Sequence, residues 1–194
     1  MMRICVFCGS SPGARPAYAQ AARRLGELLA KRGIALVFGG GRVGLMGITA
    51  DSVLANGGEA IGVMPRGLIE REIGHQRLTK LHVVESMHER KALMADLADA
   101  FIALPGGYGT LEEFAEILTW SQLGIQIKPC GLLNVEGFWN GLLEFFDHAV
   151  QERFVHPQNR DLVLVASTPE EMLDNLDAWS PPAHVEKWLD RAKR

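Results

Sequence analysis

Ala100-Phe101-Ile102-Ala103-Leu104-Pro105-Gly106-Gly107-Tyr108-Gly109-Thr110-Leu111-Glu112-Glu113-Phe114-Ala115-Glu116-Ile117-Leu118 is the stretch on which the fold turns. Residues 100–104 form an unbroken apolar run of strand length, residues 106–109 a glycine-rich turn, and Phe114, Ile117 and Leu118 then recur at helical spacing. A strand apolar on both faces belongs in a sheet covered on both sides, which is the habit of parallel sheets. The same unit repeats outward in both directions. Comparable runs fall at 4–7, 35–38, 60–64, 81–84, 131–133 and 162–165. Between them Ala21, Leu25, Leu28 and Leu29, and later Trp139, Leu142, Leu143 and Phe146, keep the helical period, while Thr168-Pro169-Glu170-Glu171 opens a helix with a Thr cap, Pro at the first position and a capping-box Glu. The alternation predicts an α/β protein: one open, mostly parallel sheet of about seven strands with helices on both faces. Residues 65–79 are polar and weakly periodic, and are expected to loop over the sheet edge. Residues 1–194 are expected to form one domain, ending in a short amphipathic tail at 181–194 whose Val185, Trp188, Leu189 and Ala192 share a face that would dock on the core or on a partner subunit.

Composition narrows the function. A chain of 194 residues is long enough to bury a sizeable core, and 47% hydrophobic with 22% charged residues describes a globular protein and excludes disorder as its main theme. Twenty Lys and Arg against 23 Asp and Glu, a formal charge of −3 without any basic run, argue against a nucleic-acid partner. The apolar run 4–7 is too short for a signal-peptide core and no stretch is long enough to cross a bilayer, so no membrane association and a cytoplasmic location are expected. Cys5, Cys8 and Cys130 make no disulfide framework. Cys5 and Cys8 form a C-x-x-C, but on a strand residues three apart point to opposite faces, so buried, inert thiols are expected rather than a metal site. The six histidines show no metal-ligand spacing either, and no metal or cofactor is expected.

In an open α/β sheet, ligands bind beyond the carboxyl ends of the strands. Four unusual segments each follow a strand there: Gly9-Ser10-Ser11, Gly39-Gly40-Gly41-Arg42-Val43-Gly44, Ser86-Met87-His88-Glu89-Arg90-Lys91 and Gly106-Gly107-Tyr108-Gly109-Thr110. One crevice could gather them all. Gly39, Gly41 and Gly44 satisfy G-x-G-x-x-G, yet the next strand ends Val63-Met64-Pro65-Arg66 without the acidic residue a dinucleotide ribose needs. What remains is a glycine loop approached by a nucleotide phosphate, or a tight turn packed against a helix. At 106–110 the glycines allow converging N–H groups, and a helix beginning after Thr110 aims its positive end at the same place, which suits a phosphate. Glu112 and Glu113 would then sit in its first turn and repel that anion, while Thr110 and Glu113 also fit a capping box. Ser86 and Glu89 form a further box, and Arg90 and Lys91 place two cations near a helix N-terminus, which costs about 0.3–1 kcal/mol per exposed charge and implies an anion or carboxylates opposite. Arg90 facing Glu113 across a phosphate nest outlines glycosyl transfer: the carboxylate stabilises an oxocarbenium-like sugar and orients water, and the arginine fixes the anion.

These residues resemble a known family. Pro105 to Glu113 is similar to the P-G-G-x-G-T-x-x-E signature of the LONELY GUY (LOG) family, the cytokinin riboside monophosphate phosphoribohydrolases, and Met87-His88-Glu89-Arg90-Lys91 matches its M-x-x-R-K. Agreement extends through residues 5–11, 39–47 and 120–124, within a likeness running from about Arg3 to Ser167. The resemblance implies a Rossmann-like homodimer with shared active sites that hydrolyses the N-glycosidic bond of a small-molecule nucleoside monophosphate to free base and ribose 5-phosphate. Arg90 and Glu113 would be its catalytic pair. Gly9, Ser10, Gly40, Gly41, Glu72, Met87, Lys91, Gly106, Gly107, Tyr108, Gly109, Thr110, Leu111, Glu112 and Thr119 would contact substrate. Base specificity would lie with the polar loop before Glu72 and the tail beyond Ser180. The lysine decarboxylase label this family has carried fits poorly, since that chemistry needs pyridoxal phosphate on a lysine and only Lys91 lies in a candidate site. Related proteins of this fold bind a phosphorylated pterin, the molybdenum cofactor, or a nucleotide without cleaving it, so a non-catalytic carrier is the alternative. Arg90 together with Glu113 discriminates, because a carrier has no use for a carboxylate beside its phosphate.

Overall fold

The computed structural model describes residues 1–69 and 74–181. Glu72 and the apolar face of the tail at Val185, Trp188, Leu189 and Ala192 lie outside the described residues. Seven strands, β1 (Arg3–Phe7), β2 (Ala35–Phe38), β3 (Ala60–Pro65), β4 (Lys80–Val84), β5 (Ala100–Ala103), β6 (Cys130–Leu133) and β7 (Val163–Ala166), form one sheet in the order β4-β3-β2-β1-β5-β6-β7. Every pairing is parallel. The interleaved helices are α1 (Pro16–Lys31), α2 (Gly44–Ala55), α3 (Arg66–Ile69), α4 (Met87–Leu97), α5 (Tyr108–Gln122), α6 (Asn140–Gln151), α7 (Pro157–Arg160) and α8 (Pro169–Ala178).

The period of two along the strands sorts the core into two layers. Ile4 and Val6, Leu36 and Phe38, and Ile102 pack with Leu25 and Leu29 of α1, Leu45 and Val53 of α2 and Met172 and Leu173 of α8. Cys5 and Phe7, Val37, and Phe101 and Ala103 face the other way, onto Met94 of α4 and Phe114 and Ile117 of α5. Each fully buried Leu or Phe contributes about 1.5–3 kcal/mol. Strands β1, β2, β5 and β6 are buried almost throughout, whereas β4, at the sheet edge, exposes Leu81 and Val83. Cys5 and Cys8 accordingly fall in opposite core layers. Among the described residues no group of His, Cys, Asp and Glu is placed to hold a metal, and no helix is long and apolar enough to cross a membrane.

Sequence signals set the helix starts at two places. The Ser86 hydroxyl accepts from the Glu89 N–H at 3.1 Å and the Glu89 carboxylate from the Glu85 N–H at 2.7 Å. Thr168, Glu171 and Ser167 repeat this arrangement ahead of α8, with Pro169 in its first turn. The segment after β3 differs from its expectation. Its described residues make one short helix, α3, and from Gly74 they cross the carboxyl end of β2: Gly74 bridges Gly41, and the His75 N–H donates to the Gly40 carbonyl at 3.0 Å. The buried His75 ring also reaches Asp51 of α2 (Nε2 to Oδ1, 3.1 Å).

Candidate active site

Strand order reverses at β1, which pairs with β2 on one side and β5 on the other. The loops leaving β1 and β5 therefore diverge to opposite faces and leave a crevice at their carboxyl ends, where open α/β sheets bind ligands. Backbone hydrogen bonds tie the crevice walls together. The Gly9 N–H donates to the Pro105 carbonyl at 3.0 Å, and the Leu45 N–H donates to the Gly9 carbonyl at 3.0 Å. Gly44, at φ +58, packs so closely on the same loop that a Cβ there would lie 2.3 Å from the Ser10 carbonyl carbon. Close packing thus accounts for this glycine of the G-x-G-x-x-G spacing.

The helix after the second glycine cluster starts earlier than its sequence suggests. Gly107 is its extended N-cap, and α5 begins at Tyr108. Thr110 therefore lies inside the first turn and forms no capping box with Glu113; its buried hydroxyl sits beneath Gly106, where a Cβ would approach Oγ1 to 2.1 Å. No side chain caps this helix, so first-turn N–H groups remain for a ligand. Glu112 and Glu113 move out to the second turn, and the first turn carries no acidic residue. The expected repulsion between them and an anion at the helix end is relieved.

Arg90, in the second turn of α4, is 8% exposed, and its Nη2 lies 3.8 Å from Glu113 Oε1. Its Nε is buried without a hydrogen-bond partner, and Nη1 meets Met87 Sδ at 3.8 Å. A buried guanidinium so sparsely satisfied is costly unless a ligand completes its bonds. Gly39 makes room for it: a Cβ at that position would stand 1.8 Å from Nη2. The next residue, Lys91, turns to the neighbouring helix and pairs with Glu112 and, at 3.0 Å, with Glu116. Those carboxylates, Glu112 foremost, hold the Lys91 amine above its ordinary range. Burial, reinforced by the nearby Glu113 charge, pushes the Cys8 and Cys5 thiols far up, and burial pushes Cys130 up to about 12.

A cleft of about 220 Å³ brings together Gly9, Ser10, Arg90, Gly107, Tyr108, Gly109, Thr110 and Glu113, along with Cys8 and Met46, which were not among the expected substrate contacts. A more apolar pocket of about 290 Å³ adjoins it, sharing Gly9, Ser10 and Gly107 and adding Gly106, Tyr18, Leu45 and Phe138. Other expected contacts lie elsewhere. Gly40, at φ +79, and Gly41 support the strand end and its bridge to Gly74. Leu111 and Glu112 stand on exposed parts of α5, and the Thr119 hydroxyl donates to the Ala115 carbonyl at 2.7 Å, two turns along.

With this geometry in view, the relatives are informative. Residues 46–176 match the family model described as possible lysine decarboxylase. The chain is 53% identical over 179 residues to a probable cytokinin riboside 5'-monophosphate phosphoribohydrolase, LOGL6, of Oryza sativa subsp. japonica, covering 92% of this chain and 72% of the rice protein. It is 51% identical to the cytokinin riboside 5'-monophosphate phosphoribohydrolase LOG7 of Arabidopsis thaliana, covering 92% and 82%. Among solved structures, the molybdenum cofactor binding protein from Rippkaea orientalis superimposes with a TM-score of 0.68 at 26% identity, covering 91% of this chain and 96% of that one.

Proposed function

We propose a function from one premise: the chain belongs to the LOG family, whose model carries the description possible lysine decarboxylase. Its function is that of a nucleoside 5'-monophosphate phosphoribohydrolase, hydrolysing the N-glycosidic bond of a cytokinin riboside 5'-monophosphate or a related purine nucleotide to free base and ribose 5-phosphate. The observation that carries this reading is the buried Arg90 beside Glu113, 3.8 Å apart, at the mouth of an uncapped helix N-terminus. The phosphate occupies the first turn of α5, where N–H groups and the helix dipole favour an anion. Glu113 faces the sugar and stabilises the positive charge that develops as the base departs, and it orients the attacking water. Arg90, its Nε still unpaired, binds an anionic or hydroxyl oxygen of the ribose phosphate.

Pyridoxal phosphate does not fit these residues. A Schiff-base lysine needs a lowered pKa, and Lys91 is raised and engaged by two carboxylates. The carrier reading is less supported, because the phosphoribohydrolases stand at about twice the identity of the molybdenum cofactor binding protein and the carboxylate beside the anion site has no task in a carrier. The protein acts in the cytoplasm as one domain and as a homodimer. Exposed apolar side chains at the cleft mouth and beyond α5, Met87, Tyr108, Ile125 and Ile127, support that assembly. Incubation with AMP, a cytokinin riboside monophosphate and the matching nucleosides tests the activity: free base is expected from the monophosphates and little from the nucleosides. Equal rates on AMP and adenosine, or no base from any nucleotide, would overturn it.

A further inference from the structure

Three charged residues outside the reacting pair, Lys91, Glu112 and Glu116, are joined beside it in a manner the proposed mechanism leaves unused. Lys91 follows Arg90 on α4, and Glu112 precedes Glu113 on α5. Glu112 and Glu116 are four apart, so they share a face of α5, and Lys91 is inserted between them with its side chain only 11% exposed. The ammonium therefore bonds one helix to the other immediately beside the Arg90–Glu113 approach. A lysine so buried, doubly paired and raised above its usual range offers a phosphate little; releasing it would leave two carboxylates unneutralised next to Glu113.

We infer that Lys91 is a positioning residue, not a substrate ligand: by clamping Glu112 and Glu116 it fixes α4 against α5 and thereby sets the distance between Arg90 and Glu113. This rests on the phosphoribohydrolase reading. Lost registration of reacting groups by about 1 Å is worth up to 100-fold in rate, and such a loss falls on turnover, whereas a lost ligand contact to a ground-state anion falls on binding.

The test uses the full chain and two observables, kcat for base release from AMP and the calorimetric Kd of ribose 5-phosphate. Base release by the unmodified protein must first be seen; its absence refutes the reading beneath the proposal rather than the clamp. Given that activity, Lys91→Met should lower kcat 10- to 100-fold with the Kd of ribose 5-phosphate unchanged within about twofold, and Lys91→Arg, which keeps the charge and both partners, should restore most of the rate. Should Lys91→Met not fold, Glu116→Gln addresses the same clamp from the other side: a lower kcat with unchanged Kd is expected. A Kd raised tenfold in Lys91→Met with kcat near normal, or wild-type turnover in Glu116→Gln, would overturn the proposal.

Discussion

Replacing Gly39 by alanine puts the placement of Arg90 to a direct test. The added Cβ would stand 1.8 Å from Arg90 Nη2 and 3.0 Å from Cζ. Ordinary contact between such atoms begins at about 3.5 Å, so the guanidinium must retreat by about 1.7 Å. Arg90 is buried and held among Met87, Glu113 and the end of β2, so it cannot absorb this by swinging into solvent. Nor does the backbone object, since Gly39 is not among the glycines with positive φ. The 3.8 Å approach to Glu113 is therefore what gives way. A displacement of this size should lower kcat for base release about 100-fold, equivalent to about 2.7 kcal/mol in the barrier. Crowding the site should also cost about 1–3 kcal/mol of stability, a few degrees in Tm. The assay is steady-state release of base from AMP, with thermal melting in parallel. Gly141→Ala serves as the control, because nothing lies within 4 Å of a Cβ there, and it should match the unmodified protein. Wild-type kcat in Gly39→Ala would refute the reasoning. A raised KM with intact kcat would instead return Gly39 to the role of a glycine approached by phosphate.

Three further outcomes are expected. Glu113→Gln should lose turnover by about 100- to 1,000-fold while melting normally, since the amide keeps the side chain's size and hydrogen-bonding capacity and removes only its charge; near-normal rates would remove it from the chemistry. Activity should survive exhaustive treatment with EDTA, and loss on chelation with recovery on adding a divalent ion would contradict this. The thiols bear on pH: Cys5, Cys8 and Cys130 are all raised by burial, so above about pH 8.5 the unfolded chain releases protons that the native one retains, and stability falls as pH rises. Native protein at pH 8 should leave all three unmodified by a thiol reagent that labels them after unfolding, and melting temperatures should decline from about pH 9 upward; rapid native labelling would show that these thiols are not protected.

Much of this architecture was legible because burial on both faces leaves continuous apolar runs, and all seven strands lie within a residue or two of those runs. The crevice was legible for a related reason: residues that neither pack nor pair collected after strands. The start of α5 was not. Gly107, Tyr108 and Gly109 look like loop because glycine signals no conformation of its own, yet Tyr108 and Gly109 are already helical and Thr110 is buried under Gly106. The resemblance places Lys91 with the substrate, and its ion pairs were not legible because the partners lie 21 and 25 positions along; the carboxylates spaced four apart at Glu112 and Glu116 were the available signal. The docking of His75 onto Gly40 and Asp51 has no local periodicity behind it and follows only from tertiary structure. Cys8 and Met46 enter the cleft walls because loops after different strands converge there, and no spacing in the chain encodes that.

The reversal of strand order at β1 also governs how the protein is made. The first strand acquires its second neighbour only when β5 appears, with the Arg3 N–H bonded to Asp99 and Ile4 paired with Ala100. Until then a ribosome-bound chain can assemble the half-sheet β4-β3-β2-β1 but leaves the apolar β1 as an open strand edge, the kind of edge that recruits other chains. Contacts this distant in sequence close slowly. Since Arg90 emerges before that edge is covered and Glu113 after it, the cleft is completed only after synthesis has passed α5, and truncated products ending near residue 99 should be the aggregation-prone species during expression.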